Sequence, residues 1–480
     1  MKKLSFALAA ILAVSTAFTA CGGEAAPSGD TTAAGETDAA VTTEPAYDYP
    51  ALDCGGEEFH ILNGSTTWGF YHYIDHETQT GDLLDDAVYT RNRGLEERCN
   101  FKLKVTEYDI AKLTETIRQS LMAGDNEWDV VFNAATYNGS LVTEGMYYNL
   151  YDIPEFRLEE PWWEQSVIEE ATIGDAIYFA MTDFTLFGIE SAWCVFFNED
   201  MLADLKLDRP YQLVRDGKWT IDALRTYAKA GMNLNGDDSY AWNLEGNCIY
   251  GLTSSYAFSH TLIISIGERY ISRDKDGNFS FTLETDRFYD FVDAWTAFSG
   301  SEGEFMSQNN GAKGHYEDIF KAGRALFMGA ELKAAQKYRD LDASFGIVPT
   351  PKLDESQKEY NSSISKAAPV MCVPVTNPKP ERAGIIMDAL TYESYENILP
   401  IFYDVTLSQK GLRNEESIEM LQIIRDTRFF DLGDAYGWTT KVQNSVRNAL
   451  DKGDAGVASL IAAEKPAIEA AIKATMDLLK

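Results

Sequence analysis

The sequence predicts an α/β protein of two blocks, each a mainly parallel sheet flanked by helices, with extended strands between them and a helical region at the C-terminus. Three observations carry this. A strand–helix–strand–helix–strand alternation runs from Glu58 to Phe132. Two apolar runs, Ala176–Ala180 and Ala192–Phe197, separate that block from a second α/β region. From Glu381 onward the pattern is mostly helical. The βαβαβ order implies parallel strands with helices on the sheet faces.

In the first block, Glu58–Leu62 reads as a strand, and Leu83–Asn100 as a helix with Leu84, Val88 and Leu95 on one side. Phe101–Val105 alternates with period two, Ala111–Ala123 is helical, and Trp128–Phe132 is a short buried strand. Ligands on such sheets bind beyond the carboxyl ends of the strands. That places the loops Asn63–Trp68 and Asn133–Tyr137 at a binding edge. In the second block Thr220 suits the N-cap of a helix Ile221–Ala230. Tyr270–Ser272 and Phe279–Phe281 flank Lys275-Asp276-Gly277-Asn278, a hairpin signal. Phe288–Phe298 and Tyr316–Ala322 read as helices, and Arg324–Met328 and Phe345–Pro349 as strands.

The N-terminus has its own logic. Lys2 and Lys3 precede an apolar run from Leu4 to Phe18, and Thr19-Ala20 leads into Cys21. This is a secretory signal, too short and one-sided for a stable membrane span. Phe18-Thr19-Ala20-Cys21 resembles a bacterial lipobox, with Phe where Leu is usual, which implies lipidation of Cys21. Residues 22–53 contain no Lys or Arg and little that could build a core. They read as a tether with a reach of roughly 30 Å. The expected organisation is a signal over 1–20, the acylated cysteine and tether over 21–53, a first lobe from 54–190 with 350–395, and a second from 191–349 with 396–480.

The formal net charge of −34 becomes −36 when cleavage before Cys21 removes Lys2 and Lys3. Such a field repels nucleic acid and anionic headgroups. No later run is long and apolar enough to span a bilayer. The cysteines after the anchor are Cys54, Cys99, Cys194, Cys248 and Cys372. An odd number without a C-x-x-C pair argues against a disulfide framework or zinc site. Cys54 and Cys99 each precede a strand and stand as a possible pair; Cys194 and Cys372 read as core thiols.

Four segments in order carry a family resemblance. They are Trp128-Asp129-Val130-Val131 with Gly145 and Leu150; Val195–Leu202; Pro210-Tyr211 with Gly217-Lys218-Trp219-Thr220; and Phe320–Phe327 followed by Phe345–Pro349. Together, behind a lipobox and tether, they resemble the bacterial extracellular solute-binding proteins of ABC importers, the maltose-binding-protein-like group. The resemblance implies a two-lobed periplasmic-binding-protein-like fold of type II, with hinge strands between the lobes and ligand closed in the cleft. It implies a monomer without cofactor that hands a carbohydrate to an importer permease. Sugar binders stack pyranose faces on aromatic rings and hold hydroxyls with polar groups. The candidates here are Thr67, Trp68, Asn133, Tyr137, Asp183, Trp242 and Glu331. Maltodextrin binders carry a stacking Trp near the end of the return strand. Met328–Lys333 has none, which argues against a maltodextrin.

Catalytic patterns are poor. The five histidines form no H-E-x-x-H, and His72 and His76 are separated by Tyr73-Ile74-Asp75. Ser363-Ile364-Ser365-Lys366 matches S-x-x-K without its companion motifs. Ser272–Leu283 resembles a calcium loop but lacks the first Asp and the terminal bidentate Glu. The competing readings are the same fold binding a peptide or polyamine, a surface enzyme acting on glycosides, and a sensor.

Overall fold

The computed structural model describes residues 47–65, 73–240, 245–307, 315–338, 344–407 and 415–479. Its strands in chain order are β1 (Glu58–Ser65), β2 (Lys102–Asp109), β3 (Val130–Ala134), β4 (Trp193–Asn198), β5 (Tyr250–Ser254), β6 (Ile271–Arg273), β7 (Phe279–Phe281), β8 (Phe305–Ser307), β9 (Ala325–Glu331), β10 (Phe345–Pro349), β11 (Ser362–Ser363), β12 (Pro369–Cys372) and β13 (Arg428–Phe429).

The first sheet has the order β12-β3-β1-β2. β1 pairs parallel with β2 and β3, and β12 closes the edge antiparallel to β3. β1 is central, and Phe59, Ile61 and Leu62 are fully buried, as a strand covered on both faces requires. Helix Leu83–Cys99 turns Leu84, Val88, Arg91 and Leu95 inward at helical spacing and is capped by Asp82, which accepts from Leu84 N and Asp85 N. Arg91 is buried and makes no ion pair among the described residues. Its guanidinium donates to the carbonyls of Tyr73, Ile74 and Phe184, to Asn92 Oδ1 and to Ser394 Oγ. Burial lowers it to about 9.

The second sheet has the order β10-β4-β9-β5-β8, antiparallel across β10-β4-β9 and parallel across β9-β5-β8. Its core holds Phe196, Tyr338 and Phe345. Trp219 is buried and donates to Pro349 O at 2.8 Å, fixing the start of the helix Ile221–Gly231 against β10. Gly251 in β5 is required by packing, because a Cβ there would lie 2.6 Å from Ala228 O.

Ala176–Ala180 is not the strand its composition predicts. Only Ala176 and Ala180 form isolated bridges, to Ile173 and Met371. The segment touches the outer edge of β12 at one residue only, where Ala180 N donates to Met371 O and Met371 N to Ala180 O, while Ile177 and Phe179 are buried without extending a ladder. The hairpin β6–β7 forms as predicted, its turn closed by Asp274 Oδ1 accepting from Asp276 N and Asn278 N. That carboxylate is used within the turn itself.

Between the sheets three segments lie side by side. Ala192 bridges Ile364, and β11 pairs parallel with β13. Ile364 N donates to Phe429 O at 2.9 Å. The outgoing chain before β4, the returning chain before β12 and the C-terminal chain at β13 thus form one narrow ribbon.

Candidate functional site

At the carboxyl end of β3 the chain turns away at Ala135. Its amide donates to Ala368 O (2.8 Å) and that of Thr136 to Lys366 O (3.2 Å), so this loop is tied to the returning crossing. Gly139 follows, packed so closely on the C-terminal segment that a Cβ would sit 2.6 Å from Tyr436 Cα. A groove of about 330 Å³ opens there, lined by Ile110, Thr114, Thr136, Tyr137, Ser140 and Tyr436. The Tyr436 ring stacks on Trp438 with centroids 4.9 Å apart and an interplanar angle of 14°. Tyr137 is 38% exposed on the groove wall. Asn133 lies beneath, fully buried, and donates to Thr114 Oγ1, which in turn donates to Tyr137 O. Asn133 and Tyr137 are thereby brought into one local network.

Asp183 lies in a second polar surrounding. Thr182 caps the short turn Asp183–Thr185 through Phe184 N, and Phe184 enters the core against Phe132 at 5.7 Å. Asp183 faces Arg428 and Arg425 instead. Burial pushes its carboxyl up, and the two arginines oppose that shift. Among the described residues Asp183 makes no side-chain hydrogen bond and no ion pair. The Arg428 side chain is 8% exposed and paired with Glu164, yet its Nη1 has no hydrogen-bond partner among the described residues. The Arg425 guanidinium lies 5.8 Å from the ring centroids of both Tyr395 and Tyr403. The Tyr403 hydroxyl is buried and likewise unpartnered among the described residues. A carboxylate acceptor, guanidinium donors and aromatic faces thus meet with hydrogen-bonding capacity unused. Native proteins rarely leave buried polar groups so.

Glu331 ends β9 opposite Trp193 in the ladder and pairs with Lys333 at 3.3 Å. Burial pushes its carboxyl up, with Lys333 opposing. Lys333 N and Leu332 N donate to Glu190 O and Ala192 O, which fixes this turn on the outgoing crossing. Glu331 is surrounded by Lys333, Glu317 and Lys337, Asp183 by Arg425 and Arg428, and Tyr137 O meets Thr114, so the three occupy distinct surroundings. Thr67, Trp68, Trp242 and Cys21 lie outside the described residues. Sequence reasoning missed Arg425, Arg428, Tyr395, Tyr403 and Tyr436. All belong to the helical C-terminal region, and only tertiary structure sets them beside Asp183 and Tyr137. The Trp162-Trp163 pair is buried, both indoles donating to Asp388.

A third cluster joins the crossing to the second block. Asp434 Oδ1 accepts from Gln443, whose Oε1 accepts from Lys366 Nζ at 3.2 Å, and His260 lies 4.0 Å from Asp434. Burial, then the neighbouring Asp434 charge, raises Asp431 to about 7. Burial lowers His260 to about 4. The signs oppose. A raised acid binds its proton in the folded state, so its contribution falls as pH rises from 3.8 to about 7. A depressed histidine contributes stability that is lost as pH falls from 6.5 to about 4. Asp434→Asn keeps the Gln443 bond and removes the like charge. It is expected to raise the urea midpoint more at pH 8 than at pH 5. Equal gains at both pH values would show that Asp434 does not set the Asp431 titration.

The S-x-x-K residues do not form a catalytic pair: Ser363 lies in β11 and its hydroxyl donates to Ile364 O, whereas Lys366 donates to Gln443. His76 pairs with Asp85 at 3.1 Å. Among the described residues no group of His, Cys, Asp and Glu is placed to hold a metal ion, and no helix is long and apolar enough to cross a membrane.

Comparison of the sequence with curated proteins returns no match. Solved structures match in fold. The maltose-binding periplasmic protein of Listeria monocytogenes, in complex with maltose, is 17% identical, with a TM-score of 0.54 over 88% of this chain and 98% of that one. An ABC substrate-binding protein of the same organism, in complex with cycloalternan, gives 11% identity and 0.53 over 88% and 99%. The maltose/maltodextrin-binding domain of Bdellovibrio bacteriovorus, bound to maltotriose, gives 12% and 0.52 over 88% and 99%. In sequence, residues 94–399 match the family described as bacterial extracellular solute-binding protein. That match spans more than half of the chain, including strands of both sheets, and the chain belongs to the bacterial extracellular solute-binding proteins.

Proposed function

We propose that this protein captures a carbohydrate, an oligosaccharide, between its two lobes and delivers it to the permease of an ABC transporter. In this reading it is held at the cell membrane by lipid on Cys21 and performs no chemistry on its ligand. The observation that carries the ligand class is the Asp183 carboxylate, without hydrogen bond or ion pair among the described residues, beside Arg425, Arg428, Tyr395 and Tyr403. Vicinal sugar hydroxyls donate to a carboxylate and accept from guanidinium, while tyrosine rings take the C–H face. Tyr137 and Tyr436 supply a further aromatic wall. The sugars named in the related structures support the same class. Loading favours closure of the lobes through contacts that only the closed form makes.

A thermal-shift screen of the mature protein against mono- and oligosaccharides, amino acids, peptides and polyamines tests this. A ligand bound only by the native state at 100 times its Kd adds about 2.7 kcal/mol of stability. A carbohydrate is expected to raise the melting temperature. A rise only with a peptide or polyamine would overturn the carbohydrate reading, and turnover of the added sugar would overturn the binding-only role.

A further inference from the structure

We infer that Cys54 and Cys99 form a disulfide in the exported protein, a cross-link that staples the segment leading into β1 to the end of the helix Leu83–Cys99. Cys54 N donates to Cys99 O at 2.8 Å. With standard backbone dimensions that bond limits the separation of their Cα atoms to at most about 6.7 Å, inside the range that disulfides span. The approach does not depend on the cysteines. Gly56 N donates to Asn100 O at 2.8 Å, Lys102 N to Glu57 O at 2.9 Å, and Asn100 Nδ2 to Asp53 Oδ1 at 2.7 Å. Asn100 takes the left-handed conformation with φ of 48°, which turns the chain back beside residues 54–57. Both side chains are buried, at 8% and 4% exposure, and the acidity of Cys99 is influenced by Cys54.

Among the described residues the other cysteines have neighbours of their own. Cys194 Sγ meets Ala330 O, Cys372 Sγ meets Asn138 Oδ1, and Cys248 meets Arg324. Both cysteines are free in the structure, but a pair whose backbones approach this closely in an extracellular family has the compartment in which disulfides persist. The bond needs an acceptor of two electrons, a small-molecule or protein disulfide. One cysteine thiolate attacks that disulfide and releases one donor thiolate. The second cysteine thiolate attacks the mixed disulfide and releases the other, so two thiol protons and two electrons leave the protein. Burial raises both thiols and hinders attack in the folded state, so closure occurs while the chain folds. The ring so closed contains β1 and helix Leu83–Cys99, and Cys54 is the first core residue after the tether-like sequence.

The test refolds the full chain from urea in a buffer of reduced and oxidised glutathione. Remaining thiols are then alkylated under denaturing conditions, and the chain is digested without reduction for mass spectrometry. The expected product is a Cys54 peptide joined to a Cys99 peptide, lighter than their sum by two hydrogens, with Cys21, Cys194, Cys248 and Cys372 alkylated. Alkylation of both Cys54 and Cys99, or separate glutathione adducts on them, would overturn the inference. The linked protein is expected to melt roughly 3 °C or more above its reduced form. In the double variant Cys54→Ser, Cys99→Ser the melting temperature should be indifferent to reductant. Equal melting of linked and reduced protein would overturn the stapling role.

Discussion

Asp388→Ala is expected to destabilise the fold by about 3–5 kcal/mol, the cost of leaving buried partners of a carboxylate unpaired. Asp388 sits on the helix Pro380–Glu393 with 1% exposure. Its Oδ1 accepts from the indoles of Trp162 (2.9 Å) and Trp163 (3.0 Å), and its Oδ2 from Arg157 Nε (2.8 Å). Those three residues belong to the segment that covers this helix. Trp163 packs edge-on against Phe156, Trp162 against Tyr392, and Arg157 carries its charge over the Trp162 ring. Alanine would strand two buried indole N–H groups and take the carboxylate from the half-buried Arg157 guanidinium. Asp388→Asn preserves shape and one acceptor oxygen, so its loss should be smaller. Chemical denaturation followed by circular dichroism measures both. An alanine variant within 1 kcal/mol of the parent, on the ordinary scale of surface changes, would show that the indoles find other acceptors.

Asp183→Ala is expected to weaken carbohydrate binding by about 10- to 100-fold, the equivalent of one or two hydrogen bonds to a charged acceptor. The melting temperature of the unliganded protein should stay level or rise. The two readouts must separate, because Asp183 gives up no hydrogen bond among the described residues when it is removed, and Arg428 keeps Glu164. A merely structural carboxylate would do the reverse. Titration calorimetry with the sugar found by the screen decides the matter; unchanged affinity in a folded variant places the binding site elsewhere.

The first sheet was legible because its segments are local and self-consistent. Asp82 caps one helix, Gly124 ends the next at φ of 78°, and β1 and β2 run in simple parallel register. Trp128–Phe132 was read two residues early. Asp129 is spent before the ladder begins, accepting from His60 N at 2.9 Å and pairing with Arg382. β5 was missed since Gly251 interrupts its apolar pattern, and β12 since Pro369 opens it. Ala176–Ala180 has the β-propensity of a half-buried pleated surface, but it meets β12 only at Ala180 and forms no ladder. The site was harder still. Asp183 and Tyr137 could be picked from positions near strand ends and crossings. Arg425, Arg428 and Tyr436 could not, because they lie in the C-terminal region, far from both in sequence.

The ribbon of three crossings has a mechanical meaning. Two independent linkers would let the lobes bend, twist and slide. Cross-hydrogen-bonding at Ala192–Ile364, Ile364–Phe429 and Ser362–Thr427 ties the three segments edge to edge, so that relative sliding breaks a bond at once. Flexing normal to a narrow ribbon strains none of them. Under the proposed two-lobed function, flexing of this ribbon is the motion that the crossings resist least. In the proposed reading, a ligand with contacts on both sides acts on that bend, and a permease sensing the outer surface reads occupancy from it.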